Sequence, residues 1–170
     1  MIKEAKNLNK KFNTNIEFII GDATDLNLKN HSFDYILFSF NGIMQIPKRE
    51  QRIKAFKEIK RVLKDKGIFI FTTHDRESNK NYLEFWKKER KICNNNEQDD
   101  RLYEYGDKIL ESNQEDRDLF IHFPNRKEIL NCLDKVGFKL LEDFFRSDLF
   151  EENEKVKKFS TECRFWIVQK

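Results

Sequence analysis

Polar side chains follow three apolar runs of this chain, and an α/β protein binds its ligand at such positions. In chain order they are Asp22 and Ala23 after residues 16–20, Ser39, Phe40 and Asn41 at the end of residues 33–40, and His74 and Asp75 after residues 67–73. Ligands of open α/β sheets bind beyond the carboxyl ends of the strands. The sequence therefore predicts one cleft to which all three segments contribute.

Two histidines are candidates for the substrate side of this cleft. His74 ends the run 67–73, and His122 precedes the last predicted helix. An imidazole can accept or donate a proton near neutral pH, so either residue could serve as a base or a hydrogen-bond partner. We predict that His74, Asp75 and His122 converge at the mouth of the cleft. The alternative is that each histidine is a surface or capping residue, and no catalytic residue is assigned from the sequence.

Alternating helical and strand patterns must position these residues. The opening segment has apolar residues at helical spacing, and run 33–40 is apolar nearly throughout. Such a run predicts a central strand that is buried on both faces. Pro47 can open the next helix, and Gly67 fits the left-handed position that follows a helix. Helices that alternate with short apolar strands indicate an α/β doubly wound sheet.

The remainder of the chain is predicted to hold an insertion and then two closing strands. Residues 76–121 are charged and irregular, and we expect them to form a substrate lid within one domain, 1–170. Its aromatic residues could line the cleft or form a small core of their own. They are Tyr82, Phe85, Trp86, Tyr103 and Tyr105. Asn125 and Glu128 have capping-box spacing, and the strands 138–145 and 163–169 are expected to pair antiparallel.

Composition argues against several classes of function. The 33 basic and 30 acidic residues nearly cancel, and a net charge of +3 gives no support for a nucleic-acid or membrane-surface partner. The first residues lack the apolar stretch of a signal peptide, so a cytoplasmic location is expected. The 3 cysteines are far apart in the sequence, which favours free thiols over a disulfide framework or metal site.

Several motifs of the chain occur in the order and spacing of a known family. They are GDATDL (21–26), SFDYILFSFNGIMQIP (32–47), KEIKRVLKDKGIFIFTTHD (57–75) and the closing helix that ends in VGF (136–138). Together they resemble class I S-adenosylmethionine-dependent methyltransferases. The resemblance implies a Rossmann-like doubly wound sheet with a closing antiparallel hairpin, and S-adenosyl-L-methionine as the cofactor.

The resemblance also implies roles for single residues. Asp22 would accept a hydrogen bond from the adenine amino group, and the Ala23 backbone N–H would meet the adenine ring. Ser39, Phe40 and Asn41 would line the methionine part of the cofactor and face the substrate. The alternatives are a turn or capping residue for Asp22 and a plain strand-to-loop transition for residues 39–41.

Two parts of the family pattern are not found in this sequence. The family's first strand carries a G-x-G-x-G turn, and its second strand ends in an acidic residue that holds the cofactor ribose. We therefore expect an N-terminally truncated version of the fold. In the family's strand order, 3-2-1-4-5-7-6, the two missing strands lie between residues 16–20 and 33–40. The open sheet edges there must pair with each other, borrow strands from another copy by self-association, or leave the chain poorly folded. Without the glycine-rich turn and the ribose carboxylate, we expect weak cofactor binding and little or no turnover.

The predicted function is methyl transfer to an O or N atom of a small molecule. The turn after residues 33–40 reads Ser-Phe-Asn-Gly and lacks the proline-rich motif of enzymes that methylate planar amines of bases or glutamine. The alternative is a non-catalytic remnant or binding module with the same fold. A third class, an RNA methyltransferase, would need a basic face that the near-neutral charge does not provide.

Overall fold

Six strands and four helices make up the part of the chain that the computed structural model describes, residues 2–111, 118–149, 151, 153–155 and 161–170. The strands are β1 (Phe33–Phe38), β2 (Leu63–Thr73), β3 (Asp107–Leu110), β4 (Leu119–His122), β5 (Lys139–Phe145) and β6 (Arg164–Gln169). The helices are α1 (Ile2–Lys11), α2 (Arg49–Val62), α3 (Leu83–Asn94) and α4 (Arg126–Val136).

The main sheet has four strands in the order β1, β2, β6, β5, and β3 and β4 form a separate antiparallel hairpin. Strands β1 and β2 are parallel, whereas β6 is antiparallel to both of its neighbours, β2 and β5. The order equals strands 4-5-7-6 of the family that the sequence resembles. The predicted α/β sheet and its antiparallel closing strands are therefore confirmed.

Aromatic side chains form the centre of the core. Phe56 of α2 lies edge-on to Phe71 of β2, with ring centroids 5.3 Å apart, and Phe69 stacks on Phe71 at 4.8 Å. On the β6 side, Trp166 stacks on Phe71 at 5.9 Å. All four rings are at most 1% exposed. Helices α2 and α4 pack side by side in this cluster and fix the position of β2, whose carboxyl end carries His74.

Helix α4 begins and ends as its sequence predicts. The Asn125 side chain accepts a hydrogen bond from the Glu128 backbone N–H, and the Glu128 side chain bonds the Asn125 N–H in return. Gly137 ends the helix in the left-handed conformation, with φ of 78°. These local signals hold because each one satisfies backbone groups that a helix leaves unpaired at its ends.

The prediction of a strand at residues 16–20 is wrong. These residues belong to no regular element, and the side chains of Ile16, Ile19 and Ile20 are exposed. A strand is stable only where a neighbouring strand satisfies its backbone hydrogen bonds. No strand in the described residues lies beside 16–20, so the apolar, β-rich composition is not sufficient there.

The prediction that residues 33–40 form a strand buried on both faces is also wrong. Strand β1 ends at Phe38 and is an edge strand of the described sheet. Ile36 and Phe38 pack against the core, but Tyr35 is 76% and Leu37 66% exposed because no described element covers that face. Self-association through this edge stays a prediction.

None of the helices in the described ranges is long and apolar enough to cross a bilayer. The cytoplasmic location expected from the sequence stays a prediction.

Candidate functional site

A cavity of about 890 Å³ opens at the carboxyl end of β2. Helix α3 and the β3–β4 hairpin form much of its wall, and both belong to the predicted insertion. Six apolar or aromatic side chains contribute to the lining, beside polar and charged ones. They are Tyr82, Phe85, Trp86, Leu110, Ile121 and Phe123. Its volume suits a small organic molecule.

His74 lies in the cavity wall in one defined tautomer. Its Nδ1 donates to the Glu162 backbone carbonyl at 2.8 Å, because a carbonyl oxygen can only accept. The Asn41 side-chain N–H₂ donates to His74 Nε2 at 3.2 Å. With the Asn41 amide in this orientation, Nδ1 carries a proton and Nε2 is a hydrogen-bond acceptor. An imidazole held this way can accept a proton at Nε2.

The turn after β1 is held in an unusual backbone conformation. Phe40 and Asn41 both have positive φ, 54° and 53°, and the Asn41 backbone N–H donates to the Thr72 hydroxyl at 3.2 Å. The side-chain oxygen of Asn41 is shielded from solvent and accepts no hydrogen bond from a described residue. An unsatisfied buried acceptor is rare in a native structure and suits a ligand that donates an N–H or O–H. The Asn41–His74 hydrogen bond joins this turn to the wall of the cavity.

Asp22 makes a tight turn beyond residues 16–20. One carboxylate oxygen, Oδ1, accepts from the Thr24 backbone N–H at 2.8 Å and from the Thr24 hydroxyl at 2.9 Å. These hydrogen bonds hold the pKa of Asp22 below its ordinary value. The other oxygen, Oδ2, has no hydrogen-bond partner in the described residues. Ala23 packs against the core, so this turn is anchored beside the sheet.

Asp75 is also in the cavity wall, in a group of two arginines and two aspartates that form ion pairs. Arg164 lies 3.5 Å from Asp75 and 2.6 Å from Asp143, and Arg126 binds Asp143 at 2.8 Å. The Asp75 Oδ1 accepts from the Glu77 backbone N–H at 3.0 Å. Asp75 is thus partly neutralised by Arg164.

The structure places His122 behind the cavity wall and not in it. His122 is 2% exposed, and its Nδ1 donates to Asp107 at 2.7 Å. Its Nε2 lies 3.4 Å from Glu128, which Arg76 binds at 2.6 Å. Both ring nitrogens therefore face carboxylates of the protein. In this arrangement His122 supports the hairpin that covers the cavity.

The charges of this network reinforce one another. Burial alone would raise the pKa of Glu128, but hydrogen bonds from Arg76 and His122 and their positive charge lower it to about 2. Burial would likewise raise the pKa of Asp107, but the His122 hydrogen bond and two backbone N–H groups keep it below the ordinary value.

Glu104, Asp107 and His122 have their ligand atoms within 4.8 Å of one another, as a metal site would require. Their contacts with each other and the Arg52–Glu104 ion pair at 2.6 Å already engage those atoms.

The cavity thus unites only part of the set expected from the sequence. His74 and Asp75 line it, and Asn41 contacts His74, whereas Asp22, Ala23, Ser39 and Phe40 are outside its wall. Of the aromatic residues of the insertion, Tyr82, Phe85 and Trp86 line the cavity. Tyr105 packs on Trp86, and Tyr103 packs on Phe120.

Sequence reasoning missed the polar residues that complete the His74 end of the cavity. Thr161 and Glu162 stand just before β6 and reach His74 only through the antiparallel pairing of β6 with β2. The sequence predicted antiparallel pairing of β6 with β5 but not with β2. A β2–β6 register, had it been inferred, would have placed residues 161–162 beside 74–75.

Comparison with known proteins fits this geometry. A protein described as a SAM-dependent methyltransferase from Methanosarcina mazei superposes with a TM-score of 0.67 at 18% identity, over 91% of this chain and 66% of that chain. An S-adenosylmethionine-dependent methyltransferase from Clostridium acetobutylicum gives 0.66 at 16% identity, over 99% and 70%. The 1,6-didemethyltoxoflavin-N1-methyltransferase of Burkholderia thailandensis gives 0.62 at 10% identity, over 98% and 56%. The chain thus spans somewhat under two thirds of the Methanosarcina protein's length. No curated protein sequence matches the chain.

The sheet order and the position of the cavity define the fold of a class I methyltransferase domain. The profile of the methyltransferase domain family matches residues 1–137, and the chain belongs to that family.

Proposed function

We propose that this chain is an S-adenosylmethionine-dependent methyltransferase domain that transfers a methyl group to an O or N atom of a small molecule. The observation that carries the proposal is the cavity of about 890 Å³ at the carboxyl end of β2, in a chain of the methyltransferase domain family. In this class of sheet the ligand binds at that end of the strands.

The residues present fit the expected cofactor at two points. The Asp22 Oδ2 is an acceptor with no partner in the described residues, as an adenine amino group requires. The solvent-shielded Asn41 side-chain oxygen is a second acceptor, which suits the amino group of the methionine part. We therefore assign Asp22, Ala23, Ser39, Phe40 and Asn41 to the cofactor side. The glycine-rich turn and the ribose carboxylate of the family pattern are not assigned to any residue here.

The chain's own residues position the acceptor and take up its proton. The bound cofactor supplies an activated methyl group, so catalysis consists mainly of orientation. His74 and Asp75 contact the substrate, and His74 can accept a proton at Nε2. Residues 76–121 serve as the lid of the domain 1–170, because Phe85, Trp86 and Ile121 close the cavity from that side. His122 holds the β3–β4 hairpin in place through its buried contacts with Asp107 and Glu128.

Asp22 substitutions test the cofactor assignment. We expect Asp22→Ala to weaken S-adenosylhomocysteine binding by about tenfold, since an adenine amino group would lose its acceptor. Asp22→Asn keeps an oxygen for the turn with Thr24 and should weaken binding less. The measurement is calorimetric titration of each variant.

Asp25→Ala is the matched control, because it removes the same charge from an exposed position of the same turn. Equal affinity of the Asp22→Ala variant and the unsubstituted chain would remove Asp22 from the cofactor site. Binding of a nicotinamide or flavin cofactor in place of S-adenosylhomocysteine would contradict the proposed activity.

The second candidate function is a non-catalytic binding module. It is favoured by the open edge of β1 in the described sheet. A module of this kind would bind a small molecule in the cavity while showing no binding of S-adenosylhomocysteine by calorimetry.

A further inference from the structure

We propose that the cavity selects a small amine with an aromatic body, and that its nitrogen is the atom methylated. The inference rests on the proposed function, because it names the substrate class of the same site. Three features of the wall carry it: its aromatic surface, the charge left at one end, and the state of His74.

The aromatic surface is continuous and preformed. Trp86 packs on Phe85, with ring centroids 5.0 Å apart, and on Phe123 at 5.5 Å, and Phe123 stacks on His74 at 5.8 Å. This row of rings runs from α3 to the His74 end of the cavity. A flat aromatic body can lie against such rings, and a cation near their faces is attracted by the ring quadrupoles.

Two carboxylates of the described part of the wall are not engaged in ion pairs there. The charged residues that line the cavity are Asp75, Arg76, Lys108, Arg146, Glu151 and Glu162. Arg76 pairs with Glu128, Lys108 with Glu89, and Asp75 with Arg164. The carboxylates of Glu151 and Glu162 make no ion pair with a described residue.

Glu162 places part of that negative charge beside His74. Its backbone carbonyl accepts from His74 Nδ1, and its side chain lines the cavity without an ion pair in the described residues. A carboxylate at the end of an aromatic wall attracts a protonated amine and repels a carboxylic acid of the same shape. An amine would therefore enter with its nitrogen toward His74 and its ring toward Trp86.

Methyl transfer to the amine nitrogen needs only the cofactor, His74 and solvent. After the ammonium group has lost one proton to solvent, its nitrogen lone pair forms the N–CH₃ bond while the S–CH₃ bond of the cofactor breaks. The electron pair of that bond remains on sulfur, which becomes a neutral thioether. The methylated nitrogen is positively charged and releases a proton to His74 Nε2, from which it passes to solvent. His74 can accept it because Nε2 carries the lone pair in the observed tautomer.

Three probes of one shape test the selection: 2-phenylethylamine, 2-phenylethanol and 3-phenylpropionate. Trp86 lines the cavity, so its fluorescence reports occupancy, and Trp86→Phe identifies that part of the signal. We expect 2-phenylethylamine to bind about tenfold more tightly than 3-phenylpropionate. Glu162→Gln should remove most of this preference and leave 2-phenylethanol binding unchanged. Glu84→Gln, an exposed acid of α3 that pairs with Lys87 outside the cavity, should leave all three affinities unchanged.

Each outcome separates this inference from the proposed function. Equal affinities for the amine and the acid, an amine preference that persists in Glu162→Gln, or no binding of any probe would overturn the amine selection. Calorimetry with S-adenosylhomocysteine is run in parallel on the same chain. Selective amine binding without cofactor binding would support the site described here and contradict the proposed methyl transfer.

Discussion

Replacing Arg76 with methionine is expected to lower the free energy of unfolding by about 3–5 kcal/mol, the usual loss when one partner of a buried ion pair is removed. The Arg76 side chain is 3% exposed and makes two hydrogen bonds to Glu128, at 2.6 and 2.8 Å. It also stacks on Tyr105, with its guanidinium carbon 4.5 Å from the ring centroid. Methionine fills much of the same space but leaves the Glu128 carboxylate without its main cation. Urea unfolding at neutral pH measures the loss.

The Arg76 effect should depend on pH in a defined window. The folded pKa of Glu128 is about 2, below the ordinary value of 4.5. A depressed carboxyl pKa stabilises the fold above the unfolded value, and that stability is lost as pH falls through the folded value. The difference between the unsubstituted chain and Arg76→Met should therefore shrink between about pH 4.5 and pH 2.

Arg101→Met is the matched control for this variant. Arg101 pairs with Asp99 and Asp118, but its side chain is 53% exposed. Solvent screens such pairs, so stability should hardly change. An Arg76→Met variant as stable as Arg101→Met would show that the buried network contributes nothing to the fold.

Trp166→Ala is expected to lower the free energy of unfolding by about 3–5 kcal/mol. Trp166 is 0% exposed at the centre of the sheet, and its Nε1 donates to the Thr73 hydroxyl at 2.9 Å. Alanine would leave a cavity between β2 and β6 and an unpaired hydroxyl at the strand end that carries His74. Thermal or urea unfolding gives the magnitude.

Trp166→Phe separates the two contributions. It keeps a ring against Phe71 and removes only the hydrogen bond and part of the volume, so it should cost clearly less than Trp166→Ala. Equal losses for the two variants would contradict the packing described for β6. Thr73→Val provides the reciprocal test, because it removes the acceptor and leaves the indole in place.

Signals confined to neighbouring residues were sufficient to predict much of the fold. The helix α4 follows from Asn125, Glu128 and Gly137, which act within one or two turns of chain. The antiparallel pairing of β5 with β6 follows from two short apolar runs near the end of the chain. For α4, the residues that determine the structure contact one another locally.

The failures share a physical cause, since each depends on a partner distant in sequence. Residues 16–20 and 33–40 have strand composition, but whether a strand forms or is buried depends on which element lies beside it. His122 stands before a helix, as expected of a site residue, yet Asp107 and Glu128 draw its ring into the interior. Glu162 reaches the cavity only through the register of β6 on β2, which residue spacing does not reveal.

The most direct test of the cofactor site is an amide NMR titration of the ¹⁵N-labelled chain with S-adenosylhomocysteine. NMR detects weak as well as tight binding. The account predicts saturable shifts for the backbone amides of Ala23, Phe40 and Asn41 and for the Asn41 side-chain amide, with no such shifts on addition of NAD. Shifts confined to residues outside 22–23 and 39–41, no shifts at saturating ligand, or the same shifts with NAD would contradict it.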